Sequence, residues 1–450
     1  MVIPQKYISI IGKISITAKE NSFDAYVVGG FVRDLFIERE SKDLDIMICS
    51  KADNKDLQLA GINFSKILAS KYNLTKPVVF EKFGTAKLFM DNVEVEFIMP
   101  RKEYYDLNSR NPYTKVGSLE QDALRRDFTI NALFLRLSDM KILDLTSYGL
   151  NDIKNKIIRV TDPFNAKIIF KQDPLRILRA VRQCLQFGFD IEHITYIAMK
   201  TSVTRLQIVS KERIRDEINK ILVEPNPSKA FIMLDDIRLL SKILPEVVEL
   251  KKNKESLNEF TCSLKVVDRV KNNIVLRMAG LLYGIVEYEA CNNKNYFSEN
   301  IISGFVKIEI ILKRLKYSKK FIQKVLLIIR NSIYIRMYSE NWTDIAIRRF
   351  IKNCGNEFTL IKELFFAYYI ENDANNKKLI ELSNRVDYLK SKNMLYIKSE
   401  LISGEKLMKI FNKPAGKWIQ NAKNKIEEIQ IEDPSVSVEI VLKMLEKWIS

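Results

Sequence analysis

The stretch AYVVGGFVRDLFIERESKDLDI, residues 25–46, passes from an apolar β-type run through two glycines into a helix-like segment and on into an alternating run. Gly29 and Gly30 let backbone N–H groups come close to a phosphate, and Arg33 adds a charge able to bond bidentately. The same glycines also suit any tight strand-to-helix turn. At strand period Asp43 and Asp45 face one side, and Leu44 and Ile46 face the other, toward a core. Two carboxylates held this close repel unless a cation lies between them, and hard oxygen donors suit Mg²⁺. A solvated edge strand with two surface acids fits the pair alone equally well. In VEVEFI, residues 93–98, Val93, Val95 and Phe97 share one face, while Glu94 and Glu96 share the other. Either glutamate could complete a carboxylate site, and periodicity does not choose between them.

Further along, KPVVF (76–80), TAKLFM (85–90) and VEVEFIM (93–99) continue the β-rich pattern, and TINALFLRL (129–137) fits helix or strand. Near residue 145 helical periodicity takes over and runs to the C-terminus. The expected organisation is an α/β head over residues 1–145, a helical neck over 146–250, and a helical body and tail over 251–450. In QDPLRILRAVR (172–182), Asp173 reads as a helix N-cap with Pro174 at the first helical position. Arg176, Arg179 and Arg182 then form a drifting stripe, with Leu175, Leu178 and Val181 packed inward. Residues 307–336 carry Lys313, Arg314, Lys316, Lys319, Lys320 and Lys324 against Glu309, the balance of a surface that meets phosphates.

Composition narrows the chemistry. The 450 residues are 47% hydrophobic, enough to bury sizeable cores, and the net charge is +17. That charge points to a polyanionic partner ahead of the alternative, a chain enriched in Lys, Ile and Asn by genomic drift. The single histidine, His193, excludes sites that need several imidazoles. The five cysteines form no CxxC pair, which fits a reducing compartment without structural zinc. No stretch reads as a signal peptide or a membrane span, so the expectation is a cytoplasmic protein without a membrane partner.

Taken together, GGFVRDLFIERESKDLDI (29–46), FGTAKLF (83–89), VEFIMPRKEYY (95–105), RRDFTINAL (125–133), QDPLRILRAVR (172–182) and VSKERIRDEINKIL (209–222) resemble the class II tRNA nucleotidyltransferase and bacterial poly(A) polymerase family. Weaker echoes continue in LLYGIV (281–286) and ISGEKLMKIFNKPAG (402–416). The resemblance implies an α/β nucleotidyltransferase head of polymerase β-like, mixed-sheet type, followed by an all-α neck, body and tail. It implies catalytic Asp43, Asp45 and Glu96, with Asp43 and Asp45 as the Mg²⁺ ligands and Glu94 as the fallback. It assigns nucleotide contacts to Gly29, Gly30, Arg33, Arg126, Asp127, Asn131, Asp173, Arg176, Arg179 and Arg182. Within residues 104–117, which match a loop that helps the family switch from C to A, Arg110 is the expected lever.

The implied activity is template-independent addition of CCA to the 3′ end of tRNA from CTP and ATP, with pyrophosphate released. Poly(A) addition, or partial CC or A addition, are the alternatives within the family. The implied protein template is Asp173 with Arg176. Cytosine and adenine both set an amino donor beside a ring-nitrogen acceptor, which matches a carboxylate beside a guanidinium. Guanine and uracil reverse that order, leaving like groups opposed. The basic body is expected to hold the acceptor and TΨC arms. Gln172 departs from the family's usual acid, and Tyr283-Gly284 stands where many relatives have His-Asp, with Asn300 replacing another histidine. A metal phosphohydrolase activity is therefore not expected, and the segment reads as a scaffold. An RNA-binding module with a dead head conflicts with the intact acids, and a small-molecule nucleotidyltransferase does not account for QDPLRILRAVR.

Overall fold

The computed structural model describes residues 2–41, 43–50, 57–104, 113–252, 258–292, 297–395 and 401–449. Arg110 lies outside the described residues, as does the side chain of Asn300. The chain forms two compact units, Met1–Val248 and Glu249–Ser450.

The first unit opens with α1 (Gln5–Glu20), whose buried Tyr7, Ile10, Ile11, Ile14 and Ala18 recur at helical spacing. There follow β1 (Phe23–Val28), α2 (Gly30–Phe36), β2 (Leu44–Ser50), α3 (Ala60–Lys71), β3 (Val78–Phe80), β4 (Thr85–Met90) and β5 (Val93–Ile98). A hairpin of β6 (Arg101–Tyr104) and β7 (Tyr113–Val116) leads to α4 (Leu119–Arg125), β8 (Leu133–Arg136) and β9 (Ile142–Asp144). The main sheet runs β3-β4-β5-β2-β1-β8-β9. Only β2 and β5 run parallel within it, so the sheet is mixed, as expected. TINALFLRL resolves into a tight turn over Thr129–Asn131 and then strand, because Phe134 and Leu135 pair with Val28 and Val27 of β1.

The two sheet faces differ, and the difference positions the site. One face carries Leu44, Ile46, Ile48, Val95 and Phe97, all buried, with Phe97 packed on Phe64 of α3. The other carries Tyr26, Val28, Met47 and Phe134 around Ala123 of α4. Asp45 and Glu96 alternate onto this second face, away from α3.

After the sheet come α5 (Gly149–Asn155), β10 (Ile157–Ile158), α6 (Ala166–Gln172), α7 (Leu175–Phe187), β11 (Asp190–Ile191), α8 (His193–Ser202), α9 (Lys211–Leu222), α10 (Ser228–Asp236), α11 (Leu240–Ile243) and α12 (Pro245–Glu249). The segment is not wholly helical, since β10 and β11 form a short parallel pair. Leu175, Leu178 and Val181 of α7 are buried, as their spacing predicts, and Gly188 ends the helix at φ 64°. The helix starts at Leu175, one residue later than the Asp173–Pro174 pattern implies, yet Asp173 still caps it by accepting from the Leu175 N–H at 3.2 Å.

In the second unit the described elements are α13 (Glu259–Arg269), α14 (Ile274–Asn292), α15 (Phe297–Arg314), α16 (Lys319–Ile335), α17 (Asp344–Cys354), α18 (Phe358–Tyr369), α19 (Asp373–Ser391), α20 (Gly404–Phe411), α21 (Lys417–Glu432) and α22 (Val438–Ile449). Gly284 lets α13 and α14 close on each other, because a Cβ there would lie 2.5 Å from Ser263 Oγ. Tyr283 is fully buried against Tyr368, with ring centroids 4.3 Å apart. Leu407, Ala422, Ile426, Val441 and Leu445 make a separate core for the last three helices. Among the described residues, no helix is long and apolar enough to cross a membrane.

Candidate active site

Strand register separates the two glutamates. The parallel β2–β5 pairing sets Asp45 beside Glu96, whereas Glu94 lies further back and bonds Lys87 at 2.5 Å. Asp43 is exposed and stands one residue ahead of β2, so it is not held by the ladder as a strand residue would be. Burial, then the Glu96 carboxylate, push Asp45 up to about 6, with Arg126 opposing and Asp43 adding to the repulsion. Among the described residues, no group of three or more His, Cys, Asp or Glu side chains is gathered closely enough to hold a metal ion. Asp43, Asp45 and Glu96 therefore share one electrostatic field without forming a closed ligand cage.

Gly29 borders this field. It adopts φ 76°, and a Cβ there would stand 3.3 Å from Arg126 Nη1 and 3.7 Å from Asp45 Oδ2. Both backbone conformation and space favour glycine at this position. Gly30 follows at the start of α2, and a Cβ on it would meet Arg33 Nη2 at 3.2 Å. Arg33 donates to Asp34 from Nε and Nη2, at 2.9 and 2.7 Å, and from Nη1 to Asn131 at 2.5 Å. Its guanidinium also lies 4.3 Å from the Phe187 ring centroid.

Four of the arginines named by the motifs, Arg33, Arg126, Arg179 and Arg182, are each tied to an acid. Arg126 bonds the fully buried Asp122 from Nε at 3.0 Å and from Nη2 at 2.9 Å. Arg179 grips Asp127 from Nε at 2.8 Å and Nη2 at 2.6 Å. Arg182 bonds Glu217 at 2.8 Å. Asn131 joins them, donating to Asp127 at 2.9 Å and to Gln183 at 3.0 Å. Burial alone would raise the Asp127 carboxyl, but the Arg179 charge and the hydrogen bonds from Asn131 and Arg179 outweigh it, holding the group well below the usual carboxylate range. Asp127 and Asn131 thus lie in a buried network linking the sheet to α7 and α9.

Asp173 and Arg176 are less committed. Asp173 accepts from Arg213 at 3.4 Å in addition to capping α7. Arg176 donates from Nη2 to the Arg125 carbonyl at 2.6 Å, while its buried Nη1 has no hydrogen-bond partner among the described residues. A buried guanidinium nitrogen left unsatisfied is unfavourable until an acceptor arrives.

Several of these residues carry no individual role in the motif reading: Asp122, Gln183, Arg213 and Glu217. The local signals were present. Asp122 precedes Arg125 and Arg126 by three and four residues, and Gln183 sits one turn beyond Arg179. The partners of Arg213 and Glu217 are distant in sequence and needed the fold.

In the second unit the basic stretch is less unbalanced than its own sequence implies. Lys313 does pair with Glu309, at 2.6 Å, but Lys307 pairs with Glu289 at 2.6 Å, Lys324 with Glu357 at 2.8 Å, and Arg336 with Glu287 at 2.7 Å. Folding brings in acids from other helices that a local charge count omits. Lys319 and Lys320 are exposed at the start of α16, and Arg314 and Lys316 lie just before it. Around Tyr283, Glu287 also accepts from Tyr369 at 2.7 Å, and Glu259 accepts from Tyr368. These acids are engaged within the protein.

Residues 25–159 match the Poly A polymerase head domain family, 188–250 match the family described as "Probable RNA and SrmB- binding site of polymerase A", and 302–439 match tRNA nucleotidyltransferase domain 2. The mitochondrial CCA tRNA nucleotidyltransferase of Saccharomyces cerevisiae is 34% identical over 226 residues, covering 47% of this chain and 41% of the relative. The A-adding tRNA nucleotidyltransferase of Geobacter sulfurreducens is 31% identical over 62% of this chain and 30% of its own length. For the CCA-adding enzyme of Streptococcus pyogenes the figures are 33%, 58% and 59%. The matches therefore span less than two thirds of these relatives. The fold is that of the Bacillus stearothermophilus CCA-adding enzyme solved with CTP, with a TM-score of 0.66 at 21% identity over 99% of this chain and 98% of the other.

Proposed function

Since the chain belongs to the tRNA nucleotidyltransferase and poly(A) polymerase family, we propose that it adds CCA to the 3′ end of tRNA without a nucleic-acid template, consuming CTP and ATP and releasing pyrophosphate. The observation that carries this is the strand register that sets Asp45 beside Glu96, next to a glycine turn bordered by the Arg126 and Arg33 guanidinium groups. Asp43, Asp45 and Glu96 fit Mg²⁺, since all are hard oxygen donors and their mutual repulsion is what a dication relieves. When bound, Mg²⁺ would supply Lewis-acid polarisation of the α-phosphate and a more acidic RNA 3′-hydroxyl. The chain's own part is positioning. Gly29 and Gly30 leave room for the triphosphate, with Arg33 and Arg126 beside it. Asp127, Asn131, Arg179 and Arg182 hold α7 against the sheet, so that Asp173 and Arg176 meet the incoming base at a constant place. The basic surface around Lys313, Arg314, Lys316, Lys319, Lys320 and Lys324 would bind the acceptor and TΨC arms through phosphate contacts.

The unpaired Arg176 Nη1 supports base reading by hydrogen bond: it can donate to cytosine N3 or adenine N1 while Asp173 accepts from the amino group. Asp173→Ala is expected to lower the preference for CTP over UTP by about ten- to a hundredfold, as one mismatched buried hydrogen bond is worth about 1–3 kcal/mol. Single-turnover incorporation with each nucleotide measures this, and an unchanged preference would place base selection elsewhere.

The activity is tested by incubating the protein with tRNA lacking its 3′ end and each labelled nucleotide, singly and together. CCA addition yields two C and one A, then stops. A long ladder with ATP alone would identify a poly(A) polymerase, and stopping after CC a CC-adding enzyme. Addition of A only to tRNA ending in CC would match the activity that names the Geobacter relative.

A further inference from the structure

The β6–β7 hairpin carries two unlike faces. Its register pairs Arg101 with Val116, Lys102 with Lys115, Glu103 with Thr114 and Tyr104 with Tyr113. Alternation therefore puts Arg101, Glu103, Thr114 and Val116 on one face, and Lys102, Tyr104, Tyr113 and Lys115 on the other. The ribbon is anchored to α4: Glu103 accepts from Arg125 at 3.0 Å, and the Arg101 backbone N–H donates to Asp122 at 3.1 Å. Gly117 tightens the closure, since a Cβ there would stand 2.7 Å from the Arg101–Lys102 backbone. The second face is open. Tyr104 is 44% exposed and Tyr113 is 75% exposed.

Two features of this face are unfavourable for an unliganded ribbon. Like charges directly opposed across two strands destabilise the pairing, yet Lys102 and Lys115 are such a pair. Their ammonium groups lie 5.1 and 5.7 Å from the Tyr104 ring centroid, and among the described residues neither has a carboxylate partner. Two large exposed rings add to this. An anion between the lysines and flat π-surfaces against the rings would relieve both.

We propose that this face binds the unpaired 3′-terminal nucleotides of the RNA being extended, with bases stacked on Tyr104 and Tyr113 and a phosphate between Lys102 and Lys115. The proposal rests on the nucleotidyl-transfer reading. The ribbon begins three residues after β5, the strand that carries Glu96 beside Asp45, so Arg101 follows Glu96 by five positions along the chain. The end of the RNA changes identity with each addition. Stacking tolerates that change because every base has a π-face, whereas hydrogen-bond readout would not.

The test uses the full chain and a tRNA lacking CCA whose 3′-terminal base is 2-aminopurine, without added nucleotide. Wild type and Y104F/Y113F should quench the fluorophore and bind equally. Y104A/Y113A should lose the quenching and raise the primer Kd about tenfold or more, with the KM for CTP within about twofold of wild type. Unchanged quenching in the alanine pair would overturn the proposal. So would a loss of affinity that is equal for tRNA trimmed of its unpaired nucleotides, because the ribbon would then be contacting duplex. If wild type incorporates neither CTP nor ATP, the nucleotidyl-transfer reading fails, while the binding assay still reports on the ribbon.

Discussion

Asp45→Asn is expected to abolish nucleotide incorporation while leaving tRNA affinity within a few fold. The substitution keeps side-chain shape but removes one of the carboxylates that would hold Mg²⁺. Loss of metal stabilisation worth several kcal/mol in the transition state lowers kcat by about a thousandfold or more. The half-buried position of Asp45 beside Glu96 makes the same change benign for the fold. A neutral amide ends the repulsion between like charges, so the thermal midpoint in metal-free buffer should not fall. Single-turnover kinetics, tRNA binding and thermal unfolding measure these separately. Incorporation at the wild-type rate would remove Asp45 from the metal site, and a large drop in midpoint would make its role structural. Glu94→Gln should lose only the contact with Lys87 and retain activity.

Asp127→Ala is expected to destabilise the first unit by about 3–5 kcal/mol, because it leaves a buried network of donors without its acceptor. Asp127 accepts from Arg179, Asn131 and the Phe128 backbone N–H, and Arg179 would retain only Glu217 at 4.0 Å. The tryptophans, Trp342, Trp418 and Trp448, all lie in the second unit. Chemical unfolding followed by far-ultraviolet circular dichroism should therefore shift in its first-unit phase, while the tryptophan-reported phase stays in place. The pH dependence has a definite sign. The folded-state carboxyl is held below its usual range, so its stabilisation is complete above the unfolded value of about 4 and is lost as pH falls toward the folded value. Asp127→Asn should flatten the acid side of the stability profile below about pH 4 and leave the neutral side lower throughout. A shift of the tryptophan phase, or an unchanged acid limb, would contradict the network's role.

Much of the architecture was legible because it is local. Alternation in LDIMIC turned Leu44 and Ile46 toward the core, and in VEVEFI it set Val95 and Phe97 on one face; all four are buried. The helical pattern of LRILRAVR placed Leu178 and Val181 inward in the same way. TINALFLRL stayed ambiguous because its strand half exists only by pairing with β1. At the site, the motifs identified residue types and order, but not what each arginine touches. Arg33, Arg126, Arg179 and Arg182 read as nucleotide contacts. In the fold each has an acid: Asp34, Asp122, Asp127 and Glu217. The charge count over residues 307–336 omitted partners for the same reason, since Glu287, Glu289 and Glu357 come from other segments.

The dividing line is the range of the interaction. Side-chain alternation, glycine turns and helix caps depend on neighbours within a few residues, so the chain alone specified an α/β head, a helical continuation and a glycine turn ahead of paired acids. Register and ion pairing join residues tens of positions apart, and periodicity says which face a residue takes but not which residue it meets there. That is why the pairing of Asp45 with Glu96, the Asp127 network and the lysine–tyrosine face of the hairpin emerged only once the strands and helices were in place.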